Sequence, residues 1–392
     1  MRFLILNADY PLFLHDLYSD EPGMASWTYA RQLQARTQSL FGVADFYSRN
    51  LRKIGHEAVD IYVNNWPLQE AWAREHGLPV QQPRRVTDGL VERMIEMGKR
   101  TPFRRSRLLR KLLRPPASWS AFILAAQLDH YRPDVILNQC MDEVSPGFFL
   151  RNRDKINLLI GQNATPELPD QDWSAYDLLL SSTPAWVDRF RSSGLQSELQ
   201  LLAFEPSVLE SVGTTEQSPH ASFVGSLMGV HSSRLNWLEA VCAASEKGPV
   251  PVRVWGHGFD VLSATSAIRR AYQGRAWGVE MYRVLASSAV TLNHHGDVKF
   301  ANNLRLYEAT GVGTLLITDA KPNLPQLFNV GEEVLVYRDP EECYRLICRW
   351  VEADDQRKRV ARQGQMRTLA SHTFELRVKE LVDLIQSRLC RA

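Results

Sequence analysis

The chain has 392 residues, more than the ~100 to 200 of an ordinary domain, which favours two domains over one small binding module. Hydrophobic residues make up 44% and charged residues 23% of the sequence, a globular composition that excludes a disordered, collagen-like or coiled-coil chain. Lys and Arg number 46 against 44 Asp and Glu, a net charge of +2, so the overall charge predicts neither a nucleic-acid binder nor an acidic tail.

The cysteines and the first residues indicate the compartment. The five cysteines are scattered and never spaced as C-x-x-C, which disfavours both a disulfide framework and a zinc site. The opening apolar run, Phe3 to Leu6, is far shorter than a signal-peptide core or the ~20 residues that cross a bilayer. We therefore expect a cytoplasmic protein with reduced cysteines.

Short apolar runs alternate with helical stretches through the first half of the chain, which is typical of a parallel α/β sheet. A helix is predicted from Trp119 to His130, capped by Ser118 and closed before Pro133. We expect residues 1–205 to form one Rossmann-like domain on the acceptor side. Its predicted strands are Phe3 to Leu6, Val59 to Val63, Val135 to Leu137, Ile156 to Ile160 and Leu178 to Leu180.

The alternation stops over residues 206–221, which are rich in Ser, Thr, Pro and Gly and predict a linker. It restarts in residues 222–370, and residues 371–392 predict a helix that crosses back to the first domain. We therefore predict an α/β protein with two Rossmann-like doubly wound domains facing a central cleft, where ligands of such folds bind. The predicted strands of the second domain are Ser222 to Gly225, Val252 to Trp255, Ala289 to Leu292, Thr314 to Thr318 and Glu333 to Tyr337.

The stretch NHHGDVKFANNLRLYEATGVGTLLITD (293–319) carries the most information. Asn302 or Asn303 is a good N-cap, which would leave the positive end of a helix free for a phosphate. Arg305 and Glu308 share a helix face, so a guanidinium for phosphate oxygens stands beside a carboxylate for ribose hydroxyls. The alternative is that the two side chains only pair with each other on a solvated surface.

Further polar groups follow the neighbouring predicted strands. Gly225, Ser226 and Arg234 lie in a strand–loop–helix segment that could approach a phosphate, although an ordinary turn is the alternative. Trp255, Gly256 and His257 end the next strand and could contact the base, although a plain strand exit explains them equally well. His294, with His295, is a candidate for contact with a phosphate or with the donor sugar.

The order FVGS…R, VRVWGHGF, LNHH, NNLRLYEATGVGTLLITD, LPQLFNVGEEVLVYRDPEE and SHTFELRVKEL resembles the C-terminal half of the CgeB-like, spore-maturation-type glycosyltransferases of the GT-B architecture, over residues 220–385. The resemblance implies a nucleotide-sugar donor, usually with no bound metal or other cofactor, held mainly by the second domain. It also implies that Glu308 contacts the ribose and that the turn from Asn302 to Arg305 faces the diphosphate. Ala301 departs from the family, because many retaining members carry a second glutamate there.

Glycosyl transfer by inversion needs a base on the acceptor hydroxyl. His15 and Asp16 follow the first strand, and Asp142 and Glu143 follow the strand at Val135, so either pair is a candidate. A structural role for each of them is the alternative, since acidic residues after strands commonly cap helices. Asp170-Gln171-Asp172 matches a D-x-D metal motif in spelling only, because no cluster of ligands accompanies it.

The tract from Lys99 to Pro116 contains eight Lys or Arg residues and no acid. Its leucines recur at helical spacing, which predicts peripheral contact with an anionic membrane through Lys99 to Arg114, at the inner face, where a lipid-linked acceptor would lie. A solvated insertion that packs on the first domain is the alternative. Nucleic-acid binding is disfavoured because the tract has a single aromatic residue, Phe103.

The function predicted from these residues is transfer of a sugar from a nucleoside-diphosphate-sugar donor to a glycan, lipid-linked or protein acceptor. Two alternatives remain open, a non-catalytic nucleotide- or sugar-binding protein on the same scaffold and a GT-B sugar-nucleotide epimerase. The sequence leaves open the base and sugar of the donor, the acceptor, the stereochemistry and the oligomeric state.

Overall fold

A computed structural model describes residues 1–79, 118–163, 172–228, 232–301 and 303–389. Its contacts divide the described residues into two units, which fall within residues 1–35, 59–160 and 169–177 and within residues 36–58, 161–168 and 178–392. Two six-stranded sheets with flanking helices confirm the predicted α/β class with Rossmann-like doubly wound sheets. The predicted domain boundaries stay a prediction.

The first sheet has the strand order β2-β1-β3-β4-β5-β6. Leu4, Ile5 and Leu6 of β1 are fully buried, because this strand lies inside a sheet that is covered on both faces. It pairs in parallel with β3, Phe3 opposite Val135. The strands are β1 (Arg2–Asn7), β2 (Glu57–Tyr62), β3 (Val135–Asn138), β4 (Leu158–Asn163), β5 (Leu178–Ser181) and β6 (Ser197–Leu199).

Helices separate these strands where the sequence predicts them. The predicted helix from Trp119 to His130 spans Ser118–Tyr131 in the structure, so Ser118 begins the helix, which ends before Pro133. The helices of this part are α1 (Pro11–Asp20), α2 (Tyr29–Gln38), α3 (Phe46–Lys53), α4 (Trp66–Glu75), α5 (Ser118–Tyr131), α6 (Pro146–Arg151) and α7 (Pro184–Ser192).

The second sheet has the strand order β12-β11-β10-β7-β8-β9, with parallel neighbours throughout. Leu238, Val254, Val290 and Ile317 lie in its hydrophobic core. The short strands β6 and β9, each at an edge of its sheet, were not predicted. The strands are β7 (Ser218–Val224), β8 (Val252–Trp255), β9 (Tyr272–Gly274), β10 (Ser288–Leu292), β11 (Leu315–Asp319) and β12 (Leu335–Tyr337).

The predicted linker over residues 206–221 is more regular than its composition suggests, because it contains a short helix and the beginning of β7. The last helix packs on α3, with the ring of Phe374 against Phe46 and Tyr47 at centroid distances of 5.1 and 5.3 Å. The helices of this part are α8 (Val208–Val212), α9 (Ser232–Ser245), α10 (Ala267–Ala271), α11 (Gly278–Ser287), α12 (Arg305–Gly311), α13 (Leu324–Leu327), α14 (Pro340–Glu352), α15 (Asp354–Ser371) and α16 (Phe374–Leu389).

No helix in the described part of the chain is both long enough and apolar enough to span a bilayer.

Candidate functional site

The strand order of the second sheet defines where a ligand should bind. The chain runs from β7 outward through β8 to β9 and then returns to place β10 on the other side of β7. The direction of winding therefore reverses between β7 and β10, and ligands of open α/β sheets bind at the carboxyl ends of such strands. The loops that follow Val224 and Leu292 begin at this edge of the sheet.

Arg305 and Glu308 lie in the first turn of α12, beside the end of β7. An Nη2–H of Arg305 donates to the carbonyl oxygen of Val224 at 3.2 Å. Arg305 Nη1 pairs with Glu308 Oε2 at 2.8 Å, and the two side chains are only 12% and 7% exposed. The alternative predicted that the two side chains pair on a solvated surface. The pair forms, but it is buried rather than solvated.

The Glu308 carboxylate has a second partner in the hydroxyl group of Tyr282. Burial raises the pKa of Glu308, and the positive charge of Arg305 and the Tyr282 hydrogen bond offset part of the rise. A carboxylate held from two sides has a fixed orientation, which is what recognition of a pair of hydroxyl groups requires.

The predicted N-cap is wrong for Asn303. Leu304 occupies the N-cap position of α12 without a side-chain hydrogen bond, and Asn302 lies outside the described residues. The amide of Asn303 instead pairs with that of Asn293, Asn303 Nδ2 to Asn293 Oδ1 at 2.8 Å and Asn293 Nδ2 to Asn303 Oδ1 at 3.3 Å. A cross-loop contact has taken the place of the local cap.

His294 lies on the surface of an aromatic cluster. Its ring centroid is 4.9 Å from that of Trp237, and its Nδ1 accepts a hydrogen bond from the Gly296 N–H at 2.8 Å. Burial lowers the pKa of His294. Because Nδ1 accepts the Gly296 hydrogen bond, the neutral ring carries its proton on Nε2.

His295 points inward and is fully buried. Its Nδ1 lies 2.6 Å from Asp319 Oδ1, and Lys321 Nζ lies 3.3 Å from Asp319 Oδ2. Burial opposes ionisation of Asp319, but the hydrogen bond and charge of His295 and the charges of His294 and Lys321 lower its pKa to about 2. His295 therefore holds the loop rather than facing a ligand.

The loop after β7 is held by its own side chains. Arg234 donates from Nη2 to the Ser226 carbonyl oxygen at 2.8 Å, and Ser226 Oγ accepts from the Met228 N–H at 3.3 Å. The Gly225 N–H donates to the carbonyl oxygen of Trp255 at 3.0 Å, so this amide serves the neighbouring strand. Residues 229–231 lie outside the described part.

The loop after β8 approaches that of β7 closely. A Cβ on residue 256 would lie 1.8 Å from the Gly225 carbonyl oxygen, and the Leu227 N–H donates to the carbonyl of His257 at 2.8 Å. The ring of His257 stacks on Trp277 with a centroid distance of 5.6 Å. These contacts bring Ser226, Gly256 and His257 close to one another at the carboxyl ends of β7 and β8.

The candidate bases lie in the first unit. His15 and Asp16 are part of α1, with Nδ1 of His15 3.3 Å from Asp16 Oδ1. Asp142 and Glu143 are exposed in the turn after β3, where they line a cavity of about 130 Å³ with Ser120, Phe148 and Arg151 among its walls.

The remaining sequence features are the Asp170-Gln171-Asp172 motif, the basic tract and possible metal ligands. Asp172 accepts a hydrogen bond from the Ser174 N–H at 2.9 Å, a capping role. Asp170, Gln171 and the whole tract from Lys99 to Pro116 lie outside the described residues. Within the described ranges, no group of three or more His, Cys, Asp or Glu side chains is arranged to hold a metal ion.

Sequence reasoning missed three polar residues at and just after the end of β11, Asp319, Lys321 and Asn323. A signal was available, because TLLITD reads as a buried strand that ends in a carboxylate, the same pattern that singled out Asp142. It also missed Tyr282, since nothing in a helical stretch shows that a hydroxyl group will reach Glu308 from 26 positions away.

Comparison with known proteins supports the class of protein predicted from the sequence. Residues 234–383 match a family model described as "Glycosyl transferase-like". That match supports a glycosyltransferase, and the narrower CgeB-like assignment stays a prediction. Among curated proteins, none matches the sequence significantly.

Three solved structures share the fold along the whole chain. A glycosyltransferase from Rickettsia africae is 10% identical, with a TM-score of 0.57 and 100% of both chains covered. HepE from Anabaena, in complex with UDP-glucose, is 11% identical, with a TM-score of 0.55, 99% of this chain and 100% of the other covered. Sucrose-phosphate synthase from Thermosynechococcus elongatus is 13% identical, with a TM-score of 0.54 and full coverage of both. At these identities the likeness establishes the GT-B fold.

Proposed function

We propose that the protein is a glycosyltransferase that uses a nucleoside-diphosphate sugar, with the donor held by the loops at the carboxyl ends of β7, β8, β10 and β11. The observation that carries the proposal is the buried Arg305–Glu308 pair at the winding reversal of the second sheet. The guanidinium would bind diphosphate oxygens, and the carboxylate would accept the ribose hydroxyl groups.

Unsatisfied donors at the same edge support an anionic ligand. Arg305 Nε, Trp237 Nε1 and Ser233 Oγ are buried and have no hydrogen-bond partner among the described residues. Trp237 packs on His294, and Ser233 Oγ would lie 3.8 Å from a Cβ on residue 296. Because buried donors cost free energy when left unpaired, such groups usually serve a ligand or bound water.

The roles of the other residues follow from their place at this edge. Ser226, Arg234 and His294 would contact the phosphates or the sugar, and Trp255, Gly256 and His257 would lie next to the base. Asn302 would belong to the turn that faces the diphosphate. HepE was solved with UDP and UDP-glucose, which makes UDP the first nucleotide to test.

The acceptor chemistry is assigned to the first unit. His15 with Asp16, or Asp142, would remove the proton from the acceptor hydroxyl group, while Arg305 and the amide groups of the donor loops stabilise the leaving diphosphate. A glycan, a lipid-linked sugar and a protein remain the acceptor classes, and Lys99 to Arg114 would bring a lipid-linked acceptor through contact with an anionic membrane.

Calorimetry with UDP, GDP, TDP and CDP tests the donor site and identifies the base in one experiment. We expect one nucleotide to bind more tightly than the others by at least tenfold, and its sugar conjugate to be consumed when an acceptor extract is added. Tight binding without turnover would favour the non-catalytic alternative, to which Ala301 lends support. Conversion of the sugar nucleotide without any acceptor would favour the epimerase. Absence of binding to all four nucleotides would overturn the proposal.

A further inference from the structure

Hydrogen bonds from side chains at and after the end of β11 hold the segment between β10 and α12 in place. Lys321 Nζ donates to the carbonyl oxygens of Gly296 and Val298 at 3.1 and 2.6 Å. The Asn323 amide brackets Ala301, accepting from its N–H at 2.7 Å and donating to its carbonyl oxygen at 3.0 Å. The backbone of this loop is therefore fixed at three points by side chains from one short stretch.

Asp319, the last residue of β11, also holds the loop, through His295. Its Oδ1 accepts from both the backbone N–H and Nδ1 of His295, at 3.0 and 2.6 Å. The His295 side chain is fully buried, so it cannot touch a ligand. Its Nε2 lies 3.4 Å from Asn293 Nδ2, which is the hydrogen bond expected of a ring whose other nitrogen donates to a carboxylate.

Asn293 contacts both His295 and Asn303, and Asn303 lies just before α12. The two hydrogens of its Nδ2 are shared among His295 Nε2, Thr318 Oγ1 at 3.1 Å and Asn303 Oδ1. Its Oδ1 accepts a hydrogen bond from Asn303 Nδ2 at 2.8 Å. Asn303 stands one residue before the N-cap of the helix that carries Arg305 and Glu308. A chain of hydrogen bonds thus runs from Asp319 at the end of β11 to Asn303, two residues before α12 begins.

We propose that Asp319 is a positioning residue for the diphosphate of the donor, acting through His295, Asn293 and Asn303 on the orientation of Arg305 and Glu308. The inference rests on the proposed function. It gives Asp319, His295, Asn293 and Asn303 a positioning role. The physical reason is preorganisation, since a displacement of about 1 Å in a binding group can cost up to a hundredfold.

A double-mutant cycle in nucleotide affinity tests the connection. Asp319→Asn and Asn303→Ala should each weaken binding of UDP, or of whichever of GDP, TDP and CDP the wild type binds most tightly, by roughly tenfold. Because both changes break the same chain, the double variant should be no more than about twofold weaker than the worse single variant. If Asp319→Asn does not fold, His295→Gln with Asn303→Ala provides the cycle, because His295 is the next member of the same chain.

The control is Glu239→Gln, which changes a carboxylate with a structural task in the same unit. Glu239 accepts from Ser266 Oγ and from the Ala267 N–H, both at 2.6 Å, at the start of α10. We expect this variant to lower the melting temperature without changing the affinity for nucleotide. Single variants that bind within twofold of the wild type, or losses that multiply in the double variant, would overturn the inference. Failure of the wild type to bind any of the four nucleotides would instead overturn the proposed function itself.

Discussion

Gly256 faces the carbonyl group of Gly225 so closely that a Cβ on residue 256 would lie 1.8 Å from that oxygen. The contact joins the loops that follow β7 and β8. Gly256→Ala must push the two loops apart, and we expect a loss of about 1 to 3 kcal/mol or more in the free energy of unfolding together with weaker nucleotide binding. Urea unfolding and calorimetry measure the two effects.

Gly147→Ala is the matched control for that change. The nearest side-chain atom to a Cβ at this position is 3.5 Å away, an ordinary contact, and the residue lies within α6. Alanine should be neutral or slightly stabilising there. Equal losses of stability in both variants would show that the close approach of Gly256 has no special importance.

Glu308→Gln should weaken nucleotide binding by about 1.5 to 3 kcal/mol, because one charged hydrogen-bond acceptor is lost. Glutamine is preferred to alanine, since removal of the whole carboxylate leaves the buried Arg305 without a partner and destabilises the fold. Glu246→Gln, which breaks the exposed pair with Arg270, should leave affinity unchanged. Normal affinity in Glu308→Gln would make Glu308 a purely structural residue.

Asp319 should contribute to the acid dependence of stability. Its folded pKa of about 2 lies below the ordinary value of 3.8, so the native state binds fewer protons and the contribution is complete above the ordinary pKa. It is lost as the pH falls toward 2, and the shift corresponds to about 2 kcal/mol. The stability difference between wild type and Asp319→Asn, measured by urea unfolding, should narrow between pH 5 and pH 3. A difference independent of pH would contradict this.

The two candidate bases can be separated by kinetics. If Asp142 removes the acceptor proton, Asp142→Asn should lower kcat by about a hundredfold or more and leave the KM for the donor unchanged. Asp16→Asn makes the same test for the pair with His15. Asp154→Asn, an exposed carboxylate of the same unit, is the control. A loss of less than threefold in both test variants would exclude Asp142 and Asp16 as the base.

Membrane contact is tested by sedimentation with vesicles. Arg104→Gln, Arg105→Gln and Arg107→Gln together remove three positive charges from the basic tract, each worth ~1 kcal/mol near an anionic surface. We expect less protein to sediment with phosphatidylserine vesicles and no change with phosphatidylcholine vesicles. Sedimentation that is equal for wild type and variant would reject the membrane proposal.

Much of the fold was predictable because its signals are local. Strands such as Val252–Trp255 are short, apolar and bounded by turn residues, so the sequence predicts them residue for residue. The edge strands at Ser197–Leu199 and Tyr272–Gly274 have three residues each and include polar or glycine residues, so they lack the apolar run that marks Leu335–Tyr337. The segment predicted as a linker contains a short helix and the beginning of β7, since polar residues are also compatible with the exposed beginning of a strand.

Within the candidate site, local contacts were predictable from the sequence and distant contacts were not. The pairing of Arg305 with Glu308 follows from helical spacing, which puts them on one face. The side chain of Asn303 had a choice between capping its own helix and bonding Asn293, ten positions away, and only the packing of β10 beside β11 decides that choice. The same holds for His295 and Asp319, whose contact depends on the register of two neighbouring strands.

The spacing of Asp319, Lys321 and Asn323 has a consequence for engineering the loop after β10. These three side chains hydrogen-bond backbone groups of His295, Val298 and Ala301, so the two stretches, residues 293–303 and 319–323, should be exchanged together. In a chimera that imports residues 293–303 alone from another enzyme, the side chains of Asp319, Lys321 and Asn323 would not match the backbone of the imported loop. Transplanting both stretches together is the exchange that preserves the shape of the loop.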